Sequence, residues 1–238
     1  SKKLTITNSQ IAGPDIGIAG SGEFNVKNNQ FVKTAYPVAF AKYPNGVVLN
    51  EWSGNTYTDN RYNGIRIISL SDSSAKIKPF GLPYLIADNL TVAKDIEVEI
   101  EAGTVFKFIP INNQNYIERF SINVDGKLLL NGTSDNPVVI TSVADDNYGG
   151  DTDVRDESPQ RGDWGAIIIG SSGELVSNYG RLLYGGLRYI NFQYSYQLIV
   201  NNGKVQLTNS ILHNYSRYGI INSGELVIER CQIGGENS

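Results

Sequence analysis

The chain has 238 residues, with 20 Lys plus Arg against 24 Asp plus Glu and a formal net charge of −4. That length buries a sizeable core as one domain, as two, or as a stack of repeats that each need only their neighbours, and the mildly acidic balance argues against a nucleic-acid module, which carries a basic stripe. No apolar run approaches the roughly 18 residues of a membrane helix, so no membrane insertion is expected; the single Cys231 excludes an internal disulfide framework, and the single His213 excludes clustered-histidine zinc chemistry.

Ser1-Lys2-Lys3-Leu4 enters a strand-like pattern at once, with no secretory leader, and the absence of Met suggests a processed protein or an excised domain. Leu4-Thr-Ile-Thr-Asn-Ser-Gln-Ile11 is a short strand, a polar pair and a further apolar residue. The same pattern returns at Phe24–Phe31, at Val205–Leu212 and at Leu226–Ile233, with starts 20 residues apart at the front and 21 at the back. Asn8, Asn28 and Asn209 share one repeat position and are candidates for side-chain hydrogen bonding along a bend. Gly17-Ile-Ala-Gly-Ser-Gly-Glu-Phe24 matches Gly219-Ile-Ile-Asn-Ser-Gly-Glu-Leu226 at five of eight positions. Related turns stand at Asp125–Leu128, Ser172–Leu175 and Asn202–Val205, where glycine suits a backbone with positive φ. A period near 20 residues, spent on short strands and Gly/Asn turns without helical periodicity, predicts an all-β right-handed parallel β-helix, a three-strand-per-coil solenoid with loop insertions. A β-sandwich would not repeat one turn at near-constant phase.

A single β-helix domain is expected over 1–238, with a coil block at 1–69, an excursion or linker at 70–89 carrying Pro79 and Pro83, and a second coil block at 90–238. Within the first block, 33–63 reads as a lengthened loop or enlarged coil; within the second, 144–163 reads as an acidic insertion. Both ends are in repeat register, so further coils or caps are expected beyond them, within a larger multidomain surface protein.

Ile96–Phe108, Gly126–Ser142, the acidic loop Asp145–Thr152 and Gly162-Asp-Trp-Gly165 together resemble a block found in bacterial and archaeal surface proteins with the pectate-lyase-like right-handed β-helix fold. The resemblance implies a secreted, cell-surface setting and polysaccharide or cell-surface glycan as partner. It names no chemistry, because the fold serves binders, lyases and spacers alike.

Candidate sites follow. Six Asp and Glu157 crowd 145–163, and Asp151-Thr-Asp153 alternates as calcium loops do. Calcium takes six to eight oxygen ligands, and Asp145, Asp146, Asp151 and Asp153 are the expected set. Trp164, beside the loop, would stack on sugar if exposed or plug the coil if buried; Trp52 lies among tyrosines in the first long loop. Tyr194 with Tyr215, and Tyr196 with Tyr218, lie about one coil apart and would form an aromatic strip for carbohydrate. A lyase would need a base beside cations drawn from Lys107, Arg155, Arg161 and Arg188, and a hydrolase would need facing carboxylates. No residue spacing selects either, so the primary expectation is a non-catalytic, calcium-stabilised carbohydrate-binding or adhesive module. A calcium-dependent polysaccharide lyase and a structural surface-layer spacer are the alternatives.

Overall fold

The computed structural model describes residues 2–234 apart from 14, 45, 71, 113–116, 191 and 192. The chain is all-β and winds as a right-handed parallel β-helix, the hand that a twisted strand and its crossover impose. One nine-stranded sheet runs from Ile16–Ala19 to Gln232–Ile233. The C-terminal block completes its coils with a six-stranded sheet, from Ala75–Ile77 to Glu225–Glu229, and a five-stranded sheet, from Leu90–Val92 to Tyr218–Asn222. The N-terminal block uses two three-stranded sheets instead.

Alternation along each strand sends every second side chain inward, and parallel stacking puts equivalent residues over one another. Ile65, Tyr84, Phe106, Ile140, Leu182 and Leu212 form one such inward column. Each is at most 1% exposed, and full burial of side chains this size contributes roughly 1.5–3 kcal/mol apiece. One apolar cluster continues from Ile18 to Leu212 through both blocks.

Residues 70–89 are not a lateral excursion. They carry the strands Ala75–Ile77 and Tyr84–Ile86, which pair with Glu97–Glu101 and with both Ile65–Leu70 and Val105–Phe108. Pro79 and Pro83 fall between these strands, where no ladder donor is needed. The stretch 33–63 is an enlarged coil and not a lengthened loop: it holds the strands Tyr36–Tyr43, Val47–Ser53 and Thr56–Thr58, all paired in the stack.

The repeat also slips by one face between the blocks. Ile16–Ala19 lies in the nine-stranded sheet, whereas its sequence counterpart Tyr218–Asn222 lies in the five-stranded one; Gln30–Val32 lies in a three-stranded sheet, whereas Gln232–Ile233 lies in the nine-stranded one.

The expected positive φ holds at Gly20 and Gly22 of the first turn, at 137° and 121°, and glycine serves the later turns for another reason. At Gly173, Gly203 and Gly224 an added Cβ would sit 2.0–2.3 Å from a carbonyl oxygen of the turn beneath, so stacking distance excludes a side chain. Left-handed backbone instead falls on Asn8, Asn28 and Asn209, with φ of 50°, 54° and 50°, a conformation asparagine tolerates. At the front the hydrogen-bonded ladder belongs to the next residue: Asn29 Nδ2 donates to Asn55 Oδ1 at 3.1 Å, and Asn29 Oδ1 accepts from the Ser9 amide at 2.9 Å.

Candidate functional site

On the outward face of the nine-stranded sheet, Arg66, Leu85, Lys107 and Thr141 occupy one register column. Leu85, Lys107 and Thr141 are fully buried there, because the insertion 144–163 folds back across them. Tyr62 and Asp153 form an antiparallel bridge, and the Asn63 amide donates to the Thr152 carbonyl at 2.8 Å. Beneath this cover Tyr62, Leu85, Ile109 and Val143 make a second, smaller apolar cluster outside the coil.

The four aspartates expected to hold calcium lie near enough to the buried Lys107 side chain for their charges to act on it. The Lys107 ammonium donates to the Gly150 carbonyl at 2.6 Å and to Thr152 Oγ1 at 2.9 Å. Burial lowers its pKa from the ordinary lysine value, opposed by the charges of Asp146, Asp145, Asp153 and Asp151. Asp145 is itself fully buried; its carboxylate accepts from Thr141 Oγ1 at 2.6 Å and from Asn147 Nδ2 at 3.1 Å. Asp153 faces Arg155 at 3.6 Å. Among the described residues no group of three or more His, Cys, Asp or Glu side chains is placed to hold a metal ion, and Asp145 and Asp153 are engaged by Thr141, Asn147 and Arg155.

Burial raises the pKa of Asp153 and of Asp163; the hydrogen bonds that Asp163 accepts from Ser142 Oγ and the Gln160 amide only partly offset this. A carboxyl with a raised folded pKa binds its proton more tightly folded than unfolded, so its stabilising contribution is present in the acid range and is lost as pH rises through the folded value. Amide protection across 144–163, corrected for intrinsic exchange, is therefore expected to fall as pH rises from the ordinary aspartate value of about 4 towards neutrality. Hydrogen exchange measures this, and weaker protection at the lower pH would contradict it.

The expected aromatic sites separate. Trp164 is fully buried, stacked on Phe108 with ring centroids 5.1 Å apart and an interplanar angle of 12°, and its Nε1 donates to the Leu183 carbonyl at 2.7 Å. It plugs the coil and has no face for a sugar; Gly185 makes room for it, since a Cβ there would meet the indole at 2.5 Å. Trp52 is partly buried, stacked on Phe31 at 6.0 Å and donating from Nε1 to Tyr57 Oη at 2.7 Å. Burial pushes the Tyr57 hydroxyl up to about 12. Tyr215 packs against the core. Tyr194, on the hairpin Arg188–Ile190/Gln193–Ser195, meets Tyr196 at 6.2 Å instead of Tyr215. Tyr196 and Tyr218 are neighbours through the backbone, where the Tyr218 amide donates to the Tyr196 carbonyl at 2.9 Å. Tyr194 and Tyr218 are the exposed members, at 48% and 42%.

Where the insertion meets the N-terminal coils it leaves a groove of 480 Å³ lined by Tyr36, Arg61, Tyr62, Arg66, Ile109 and Arg155, among others. That volume lies within the usual range of ligand pockets. The Tyr36 and Tyr62 rings stack at 5.2 Å. Arg66 lies over Tyr36 at 5.0 Å, and Arg61 over Tyr62 at 5.5 Å. Arg155 donates to Tyr62 Oη at 3.3 Å and pairs with Asp153 and Glu157. Arg61 and Arg66 have no ion-pair partner among the described residues. Guanidiniums held flat on aromatic rings keep their donors free for a carboxylate or sulfate. Sequence reading missed Tyr36, Arg61 and Arg66; the only local signal was their density, since Arg61-Tyr62 and Arg66 fall within six residues.

No curated protein and no solved structure matches the chain. Residues 79–191, which carry the insertion and the coils beneath it, match the family model described as a pectate-lyase like beta helix domain, and this chain holds such a domain over that stretch.

Proposed function

We propose that this β-helix is a non-catalytic, extracellular carbohydrate-binding module that selects acidic glycans in the groove between its insertion and its first coils. The observation carrying this reading is the pair Arg61 and Arg66, laid on stacked tyrosines and lacking carboxylate partners. A sugar acid would pair with the guanidiniums while its ring lies against the apolar wall of Ala87, Ile109 and Val154. The exposed Tyr194 and Tyr218 offer a secondary contact near the C-terminal coils. The family match over 79–191 supports a glycan setting and leaves the chemistry open. Among the described residues no helix is long and apolar enough to cross a membrane.

The test is retention on acidic and neutral polysaccharides, with calcium and with chelator. Acidic polymers are expected to retain the protein, and the double variant Arg61→Ala/Arg66→Ala is expected to bind them at least about tenfold more weakly. Binding should also weaken with salt, as charge pairing at an open groove requires. Undiminished retention of the double variant would remove the groove from the reading. Loss of retention in chelator would give calcium a part in it, and release of unsaturated soluble sugars would identify a lyase instead.

A further inference from the structure

The insertion borders a second opening on its other flank. Arg181 stands on the strand Gly180–Leu183 of the nine-stranded sheet, with Val139 and Ile211 as its register neighbours. Leu182 beside it is fully buried in the coil, so alternation turns Arg181 outward. Its guanidinium lies over the ring of Tyr148, a residue of the insertion, at 5.5 Å, and Nη1 donates to the Tyr148 hydroxyl. Two grooves meet at this side chain. One, of 220 Å³, has Tyr179 and Ile211 on its walls; the other, of 290 Å³, has Val139 and Tyr148; Ser134 and Arg181 wall both.

The chemistry is that of the first groove, a guanidinium laid on a tyrosine ring with no ion-pair partner among the described residues. The smaller groove has no acidic side chain on its walls, and Asp135 borders only the larger one. Tyr148 takes one N–H of the guanidinium fork, and the others stay open to a carboxylate or sulfate. Arg66 and Arg181 lie on strands four apart in the sheet, the order being Ile65–Leu70, Tyr84–Ile86, Val105–Phe108, Val138–Ser142 and Gly180–Leu183. At the usual strand spacing the two openings are thus about 19 Å apart, with the insertion between them.

We infer that Arg181 and Tyr148 form a second site for an acidic sugar unit, and that a polymer long enough to cross the insertion engages both flanks at once. This rests on the reading of the rod as a binder of acidic glycans. In the smaller groove the acid group meets the open donors of Arg181 while the sugar ring lies against Tyr179 and Ile211. The next unit runs over Val139 in the larger groove. Two sites on one chain favour long polymers over short ones, because the second contact forms at the high effective concentration that the first creates.

Titration calorimetry with polygalacturonate, dextran sulfate and a length series of oligogalacturonates tests this; the first polymer offers only carboxylates and the second only sulfates, so the one that binds identifies the group recognised. Wild-type affinity is expected to rise steeply once oligomers reach past the roughly 19 Å between the openings. Arg181→Gln should abolish that rise and bind the long polymer about tenfold more weakly, with short oligomers still held through Arg61 and Arg66. Ile211→Glu sets a carboxylate one strand from Arg181, leaves the Tyr148 contact in place, and should have the same effect. Limited proteolysis of 144–163 checks that the insertion stays anchored; if Arg181→Gln loosens it, Ile211→Glu decides. Wild-type affinity for the long polymer in both variants, with Arg61→Ala/Arg66→Ala still weakened, overturns this inference and leaves the first groove standing. The opposite pattern keeps the Arg181 site and removes the first groove, and no binding of either polymer by the wild type overturns both.

Discussion

Replacing Trp164 by alanine is expected to lower the unfolding free energy by about 3–5 kcal/mol, the loss typical of a fully buried tryptophan. The side chain has no exposed surface, stacks on Phe108, and donates to the Leu183 carbonyl. Alanine leaves a cavity whose walls are held by strands on either side, so the site cannot collapse, and it orphans a buried carbonyl at a further cost of roughly 1–3 kcal/mol if no water replaces the indole N–H. Trp164→Phe keeps most of the stacking and loses the donor, so its expected loss is smaller, of the order of the carbonyl term alone. Equilibrium denaturation measures both. Polysaccharide retention by Trp164→Phe separates packing from recognition: a tryptophan serving as sugar platform would lose binding at unchanged stability, and the buried geometry requires the reverse.

Lys107→Met is expected to release the insertion while the coils stay folded. Methionine fits the length of the lysine stem, but removing the ammonium takes the donor from the Gly150 carbonyl and Thr152 Oγ1 and removes a buried positive charge on which Asp146, Asp145, Asp153 and Asp151 act. Breaking a buried charge arrangement from one side costs about 3–5 kcal/mol. Here that cost falls on the 144–163 segment, whose hold on the sheet also includes the Tyr62–Asp153 bridge. Limited proteolysis is expected to cut within 144–163 far faster in the variant, with the far-ultraviolet circular dichroism unchanged. If calcium and not the ammonium organised the four aspartates, the variant would keep its protection whenever calcium is supplied, and the wild type would lose it in chelator. Because the insertion also carries Arg155, the variant should bind acidic polymers more weakly as well, linking the anchor to the groove.

The coil architecture was legible because it is written in short-range order. Strand alternation, the Ser-Gly-Glu turn and the asparagine after each strand act over a few residues, and stacking then repeats the same contacts at a spacing of one coil. That logic placed a turn at Asn8, Asn28 and Asn209, where the backbone is left-handed, and the insertion at 144–163. It misjudged 70–89, where proline and a broken period suggested departure from the stack although Tyr84 and Ile86 are buried in it. A period search fails there because the repeat changes face, so the strands persist while their phase does not.

The sequence by itself determined the solenoid, its strand-turn grammar and the acidity of its one long insertion, since each follows from residue types at local spacing. Tertiary structure alone decided that Lys107 lies buried beneath the acidic insertion, that Trp164 points inward, and that Arg61 and Arg66 border a groove. Lys107 meets Gly150 across 43 positions and Arg155 meets Tyr62 across 93. At such separations no pattern within the chain marks one residue as the partner of another. The fold-back of the insertion onto one sheet face brings them together, and the burial it imposes sets their charges against each other.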